Sequence, residues 1–163
     1  MKKWFWRSVL VLIVLAGLIQ LARPEKTNPI SSPAQHIKAV MPVHPEVAAA
    51  LNRSCNDCHS NNTVWPWYSN VAPVSWLVVN DVNEGREELN FSSWGAYKGE
   101  KQQKLLGEIC KEVSSGEMPG ATYLLAHPQA RLTQAERTAI CSWTQTMASS
   151  TAQKHEEEGE EGD

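Results

Sequence analysis

The sequence predicts an all-α protein, a small helical domain preceded by a membrane-spanning helix at the amino terminus. Three observations carry this expectation. Several stretches space apolar residues by three or four positions, and period-two alternation is almost absent. Pro45 and Pro73 stand where helices would start, and Gly116 where one would end. The chain also opens with cations followed by a long apolar run.

The opening run comes first. Met1-Lys2-Lys3-Trp4-Phe5-Trp6-Arg7 leads into Ser8–Ala22, in which only Ser8 and Gln20 are polar. From Trp4 to Ala22 a helix would be about 28 Å long, close to a hydrocarbon core. Lys2, Lys3 and Arg7 would keep the amino terminus cytoplasmic and send the rest across. A cleaved signal peptide is the alternative, but cleavage after Ala22 would put Gln20 where a small residue is wanted. Residues 1–22 are therefore expected to be a membrane anchor or signal peptide. The expected placement is single-pass in the cytoplasmic membrane, with the remainder in the periplasm or an equivalent extracytoplasmic space.

Residues 23–42 carry Pro24, Pro29, Pro33 and Pro42 and show no helical or strand period, so they read as a linker. Residues 43–147 hold the predicted domain. Its first helix starts at Pro45, with Val47, Leu51 and Cys55 on one face. A second opens at Pro73, carries Val74, Leu77, Val78 and Val82, and ends near Asn90. A third covers about Glu100 to Ser115, with Leu105, Leu106, Ile109 and Val113 inward and Gly116 at its end. Thr133-Gln134-Ala135-Glu136 is a capping box that starts the last helix, with Ala139, Ile140, Trp143 and Met147 on one side. Residues 148–163 are acidic and poor in hydrophobics, and read as a disordered tail.

The net charge is −3. It is distributed unevenly, +5 over residues 1–42, −3 over 43–147 and −5 over 148–163. A nucleic-acid partner is excluded, since general binding needs a basic surplus on the folded part. Seven tryptophans are many for so short a chain, and point to an aromatic core or a large flat apolar ligand.

One motif carries chemistry. Cys55-Asn56-Asp57-Cys58-His59 is C-x-x-C-H, the signature of covalent haem attachment. Thiols one helical turn apart can each meet one haem vinyl group, and the adjoining imidazole then reaches the iron. A thioredoxin-like pair would want a βαβ context, and a zinc site a second pair of ligands; neither pattern is present. A local disulfide is a further reading.

Around this motif lie Ser60-Asn61, Trp65-Pro66-Trp67-Tyr68, Ala72-Pro73-Val74-Ser75-Trp76, Gly85-Arg86, Leu89-Asn90-Phe91-Ser92 with Trp94, Gly116-Glu117-Met118-Pro119 and His127-Pro128. In this combination residues 43–147 resemble the bacterial haem-binding domain family related to monohaem cytochromes c. The resemblance implies a cytochrome c-like helical shell around one covalent haem c, with Cys55 and Cys58 as anchors and His59 as proximal iron ligand. Met118 is the expected distal ligand, in a loop after the third helix as in the cytochromes c that the domain resembles; His127 is the alternative. Trp65, Trp67 and Tyr68 are expected near the macrocycle, and Arg86 and Trp94 are weaker candidates for its propionates. Cys110 and Cys141 are spare, and an oxidising compartment favours a disulfide between them over two buried thiols.

The expected function is single-electron transfer outside a bacterial cytoplasmic membrane, with membrane or periplasmic redox proteins as partners and no enzymatic turnover. Alternatives are a haem-based redox or gas sensor and a small haem peroxidase with an open distal site.

Overall fold

A computed structural model describes the backbone of residues 2–160 and the side chains of 2–153. Its α-helices in chain order are α1 (Lys2–Ile19), α2 (Ile37–Val40), α3 (Pro45–Ser54), α4 (Asn56–His59), α5 (Val74–Glu88), α6 (Gly99–Ser115), α7 (Ala121–Ala126) and α8 (Gln134–Glu160). Short 3₁₀ turns join several of them, and no strand occurs among the described residues. The four helices expected between Pro45 and the carboxyl end are α3, α5, α6 and α8. Short α2, α4 and α7 lack the length to show a period. α8 takes in the first part of the segment read as an acidic tail, and residues 161–163 lie outside the described residues.

The membrane span is not borne out. No helix among the described residues is long and apolar enough to cross a membrane. α1 has 18 residues, but Lys2, Lys3 and Arg7 occupy its first turns. The uncharged part from Ser8 to Ile19 reaches only about 18 Å at the helical rise, against a hydrocarbon core of ~30 Å. The stretch from Trp4 to Ala22 includes Arg7 and extends past the helix end at Ile19. The expected single-pass placement in a bacterial cytoplasmic membrane, with the haem domain outside it, loses its support with that span.

α6 and α8 pack along each other and α3 lies across α8. Leu106, Ile140 and Leu51 are almost wholly buried where they meet, with Phe91 and Trp94 from the turn after α5. A fully buried side chain of this size contributes about 1.5–3 kcal/mol. Cys110 of α6 and Cys141 of α8 are bonded, closing a separation of 31 residues.

The ends of α6 and α8 are chemically sealed. Gly116 ends α6 at φ +83°, in the left-handed region that glycine enters without a Cβ penalty. The Arg137 guanidinium donates to the Val113 carbonyl at 2.8 Å, satisfying an orphan acceptor of α6. At the start of α8 the expected capping box is complete. Thr133 N–H donates to Glu136 Oε2 at 2.8 Å, and Glu136 N–H returns to Thr133 Oγ1 at 3.2 Å.

Residues 20–28, partly within the stretch read as a linker, lie against the domain through specific bonds. Gln20 pairs with both backbone groups of Ala72, donating at 3.1 Å and accepting at 2.9 Å. The Trp76 indole donates to the Ala22 carbonyl at 2.6 Å.

Candidate functional site

The C-x-x-C-H segment straddles a helix break. α3 ends at Ser54, Cys55 takes a non-helical conformation, and Asn56–His59 form the single turn α4. α4 rests on α5 at Gly85, where the fit is tight. A Cβ built on Gly85 would stand 2.8 Å from the Cys58 carbonyl oxygen and 3.1 Å from the Cys58 Cβ. Only glycine lets the two helices approach so closely.

That approach brings His59 to the end of α5. Its Nδ1 lies 2.8 Å from the Gly85 carbonyl oxygen and 3.1 Å from that of Leu89. Carbonyl oxygens only accept, so Nδ1 carries the hydrogen and donates. Burial holds the imidazole pKa below its ordinary value, while the two backbone bonds oppose this. The ring is therefore neutral at pH 7, and Nε2 keeps its lone pair.

His59 lines a cleft of about 350 Å³ with Cys55, Leu89, Phe91, Ile109, Val113 and Met118. Its walls are mostly apolar, and Ser54 on the same wall has a buried hydroxyl without a partner. Met118 reaches the cleft because Gly116 turns the chain and the Met118 amide closes onto the Glu112 carbonyl at 3.1 Å. A neutral imidazole and a thioether thus share one apolar cleft with the first motif cysteine.

The second motif cysteine opens elsewhere. Cys58 lines a cleft of about 220 Å³ with Tyr68, Val78, Asp81, Tyr123 and His127. Within this second cleft Tyr123 donates to Asp57 Oδ2 at 2.9 Å. Cys55 and Cys58 are free thiols. Burial pushes Cys55 up to about 12; burial and the carboxylates of Asp57 and Asp81 push Cys58 up to about 11. Both are neutral S–H groups at pH 7.

The remaining expected site residues divide by place. Tyr68 stands at the Cys58 cleft, with its hydroxyl 3.4 Å from the His127 ring nitrogens. His127 stacks on Tyr123 with centroids 4.2 Å apart, so it lies apart from the cleft shared by His59 and Met118. Trp65 is half-buried and Trp67 is 78% exposed, and neither lines either of these two clefts. Trp94 is fully buried in the core, away from both clefts. Arg86 is taken up by four oxygen atoms of the protein itself. Gly85 and Leu89, whose carbonyl oxygens accept from His59, match the family pattern in the sequence, but their role escapes sequence reasoning because it is played by backbone oxygens.

A haem fits this donor set. The cleft is apolar, the imidazole has the right tautomer for ligation through Nε2, and a backbone carbonyl fixes the ring as outer partners of ligating histidines do. Among the described residues no group of three His, Cys, Asp or Glu side chains converges as a metal centre, which leaves the zinc reading of the cysteine pair without partners.

Comparison with known proteins points the same way. The model of a family described as haem-binding domain matches residues 14–146. No curated protein and no solved structure matches the chain.

Proposed function

The chain belongs to the haem-binding domain family, and on that premise we propose that it is a monohaem c-type cytochrome that carries single electrons. Cys55 and Cys58 would hold the haem covalently. Each thiol adds to one vinyl group, the sulfur bonding to carbon and the S–H hydrogen passing to the neighbouring vinyl carbon, so no oxidant is consumed. Cys55 and Cys58 open on different clefts, so a haem held by both would draw on the lining of each. When bound, the haem supplies a one-electron ferric/ferrous couple.

The observation that carries this reading is His59. Its Nδ1–H is held by the Gly85 carbonyl and its cleft is shared with Met118. His59 would hold the iron through Nε2, and Met118, on the same cleft, would offer a thioether as second ligand. The apolar walls limit water, which favours the ferrous form and raises the potential. Partners would be redox proteins that exchange electrons at the haem edge. We read the protein as a carrier rather than an enzyme.

A second reading, a haem-based gas or redox sensor, draws on one observation: Met118 is 42% exposed, so its ligation could yield to an incoming ligand. A peroxidase draws less support, since His127 is engaged by Tyr123 and Tyr68 at the other cleft. The ferric absorption spectrum and a redox titration separate the readings. A methionine–iron charge-transfer band, lost in Met118→Ala, together with a one-electron titration, supports the carrier. A high-spin ferric spectrum with rapid carbon monoxide binding after reduction supports the sensor.

A further inference from the structure

We propose that Arg86 is a positioning residue for the haem side of the molecule, locking the segment 20–28 as a strap across the turn that follows His59. The inference rests on the haem reading above for its second half only. Its first half is a matter of contacts. The Arg86 guanidinium donates to the Ser60 carbonyl at 2.8 Å, one residue beyond His59, and to Thr63 Oγ1 at 2.7 Å. From the same group, bonds run to the Thr27 carbonyl at 2.8 Å and Asn28 Oδ1 at 2.9 Å. Asn28 Nδ2 in turn donates to the Thr63 carbonyl at 2.9 Å. One planar cation therefore ties three segments together: α5, the turn 60–63 and the strap.

The geometry is specific to arginine. Its fork of five N–H donors can serve four oxygens in different directions, which a lysine ammonium on a flexible stem does not reproduce. The position in sequence adds to the effect. Arg86 follows Gly85, whose carbonyl holds His59, so the same turn of α5 fixes the imidazole and the strap. Release of the strap would loosen the turn beside His59 and admit water to that side of the haem. Water stabilises the more highly charged ferric state, so the midpoint potential falls.

The test uses the full chain in its haem-loaded form, as wild type, Arg86→Gln, Arg86→Lys and Asn28→Ala. Two quantities are read: the rate of tryptic cleavage after Lys26, within the strap, and the midpoint potential. Asn28→Ala keeps the cation and removes only strap contacts, so it serves if Arg86→Gln fails to fold. Cleavage is expected to rise at least tenfold in Arg86→Gln and severalfold in Asn28→Ala, with a lowered potential in both. Arg86→Lys, which retains the charge, is expected to resemble Arg86→Gln in cleavage. Unchanged cleavage in Arg86→Gln overturns the lock. Faster cleavage with an unchanged potential in both variants overturns the link to His59. Protein that carries no haem contradicts the haem reading, while the cleavage arm still decides on the strap.

Discussion

The His59 Nδ1–H and the Gly85 carbonyl oxygen are joined by a hydrogen bond of 2.8 Å across 26 residues of sequence. Gly85 also gives its missing side chain to the Cys58 carbonyl, so one residue of α5 sets both the depth of α4 and the angle of the imidazole.

Gly85→Ala should therefore be harmful although alanine is the better helix former. Helix propensity alone would favour alanine by about 1 kcal/mol. The new Cβ, however, meets a backbone oxygen at 2.8 Å, and overpacking of this kind costs about 1–3 kcal/mol. A net loss of up to about 2 kcal/mol in urea denaturation is expected, together with reduced haem incorporation. A variant as stable as wild type, with full incorporation, would show that the contact relaxes freely.

Local signals were legible in the sequence and long-range ones were not. Thr133–Glu136, Pro45 and Gly116 mark helix ends through bonds made within a few residues, and the structure has those ends. Cys55, Cys58 and His59 were legible because their chemistry sits in five consecutive positions. Residues 20–28 read in the sequence as the end of an anchor and the start of a linker, because the bonds that order them run to Ala72, Trp76 and Arg86, some fifty to sixty positions away. Of the two weaker propionate candidates, Arg86 is spent on the strap and Trp94 lies in the core. The membrane span fails for a different reason: the run from Trp4 to Ala22 includes Arg7 and passes the end of α1 at Ile19.

The Cys110–Cys141 bond closes a long loop that includes Met118. In the chain-entropy model a loop of this size is worth about 3–4 kcal/mol. Cys110→Ser with Cys141→Ser should lose a comparable amount in chemical denaturation, and reductant should lower the stability of wild type alone. A double variant that unfolds at the wild-type midpoint would contradict this.

Glu136 predicts a pH dependence. The Thr133 backbone N–H and then Arg53, whose guanidinium lies 2.8 Å away, hold its carboxyl below the usual carboxylate range. A folded pKa below the unfolded one, about 4.3, stabilises the protein above that pH. The contribution disappears as pH falls through the folded value. Glu136→Gln should cost about 0.5–1 kcal/mol at pH 7, with the difference from wild type shrinking below pH 4. A difference that stays constant from pH 7 to pH 3 would sink the assignment.

Covalent attachment at Cys55 and Cys58 underlies the roles proposed for His59 and Met118. The most direct measurement is the intact mass of denatured protein produced alongside haem-attachment machinery, compared with a variant carrying Cys55→Ser and Cys58→Ser. The expected result is a gain of one haem in the wild type, retained through denaturation, and none in the variant. Wild-type chain at the bare polypeptide mass, or haem retained by the double variant, would contradict it.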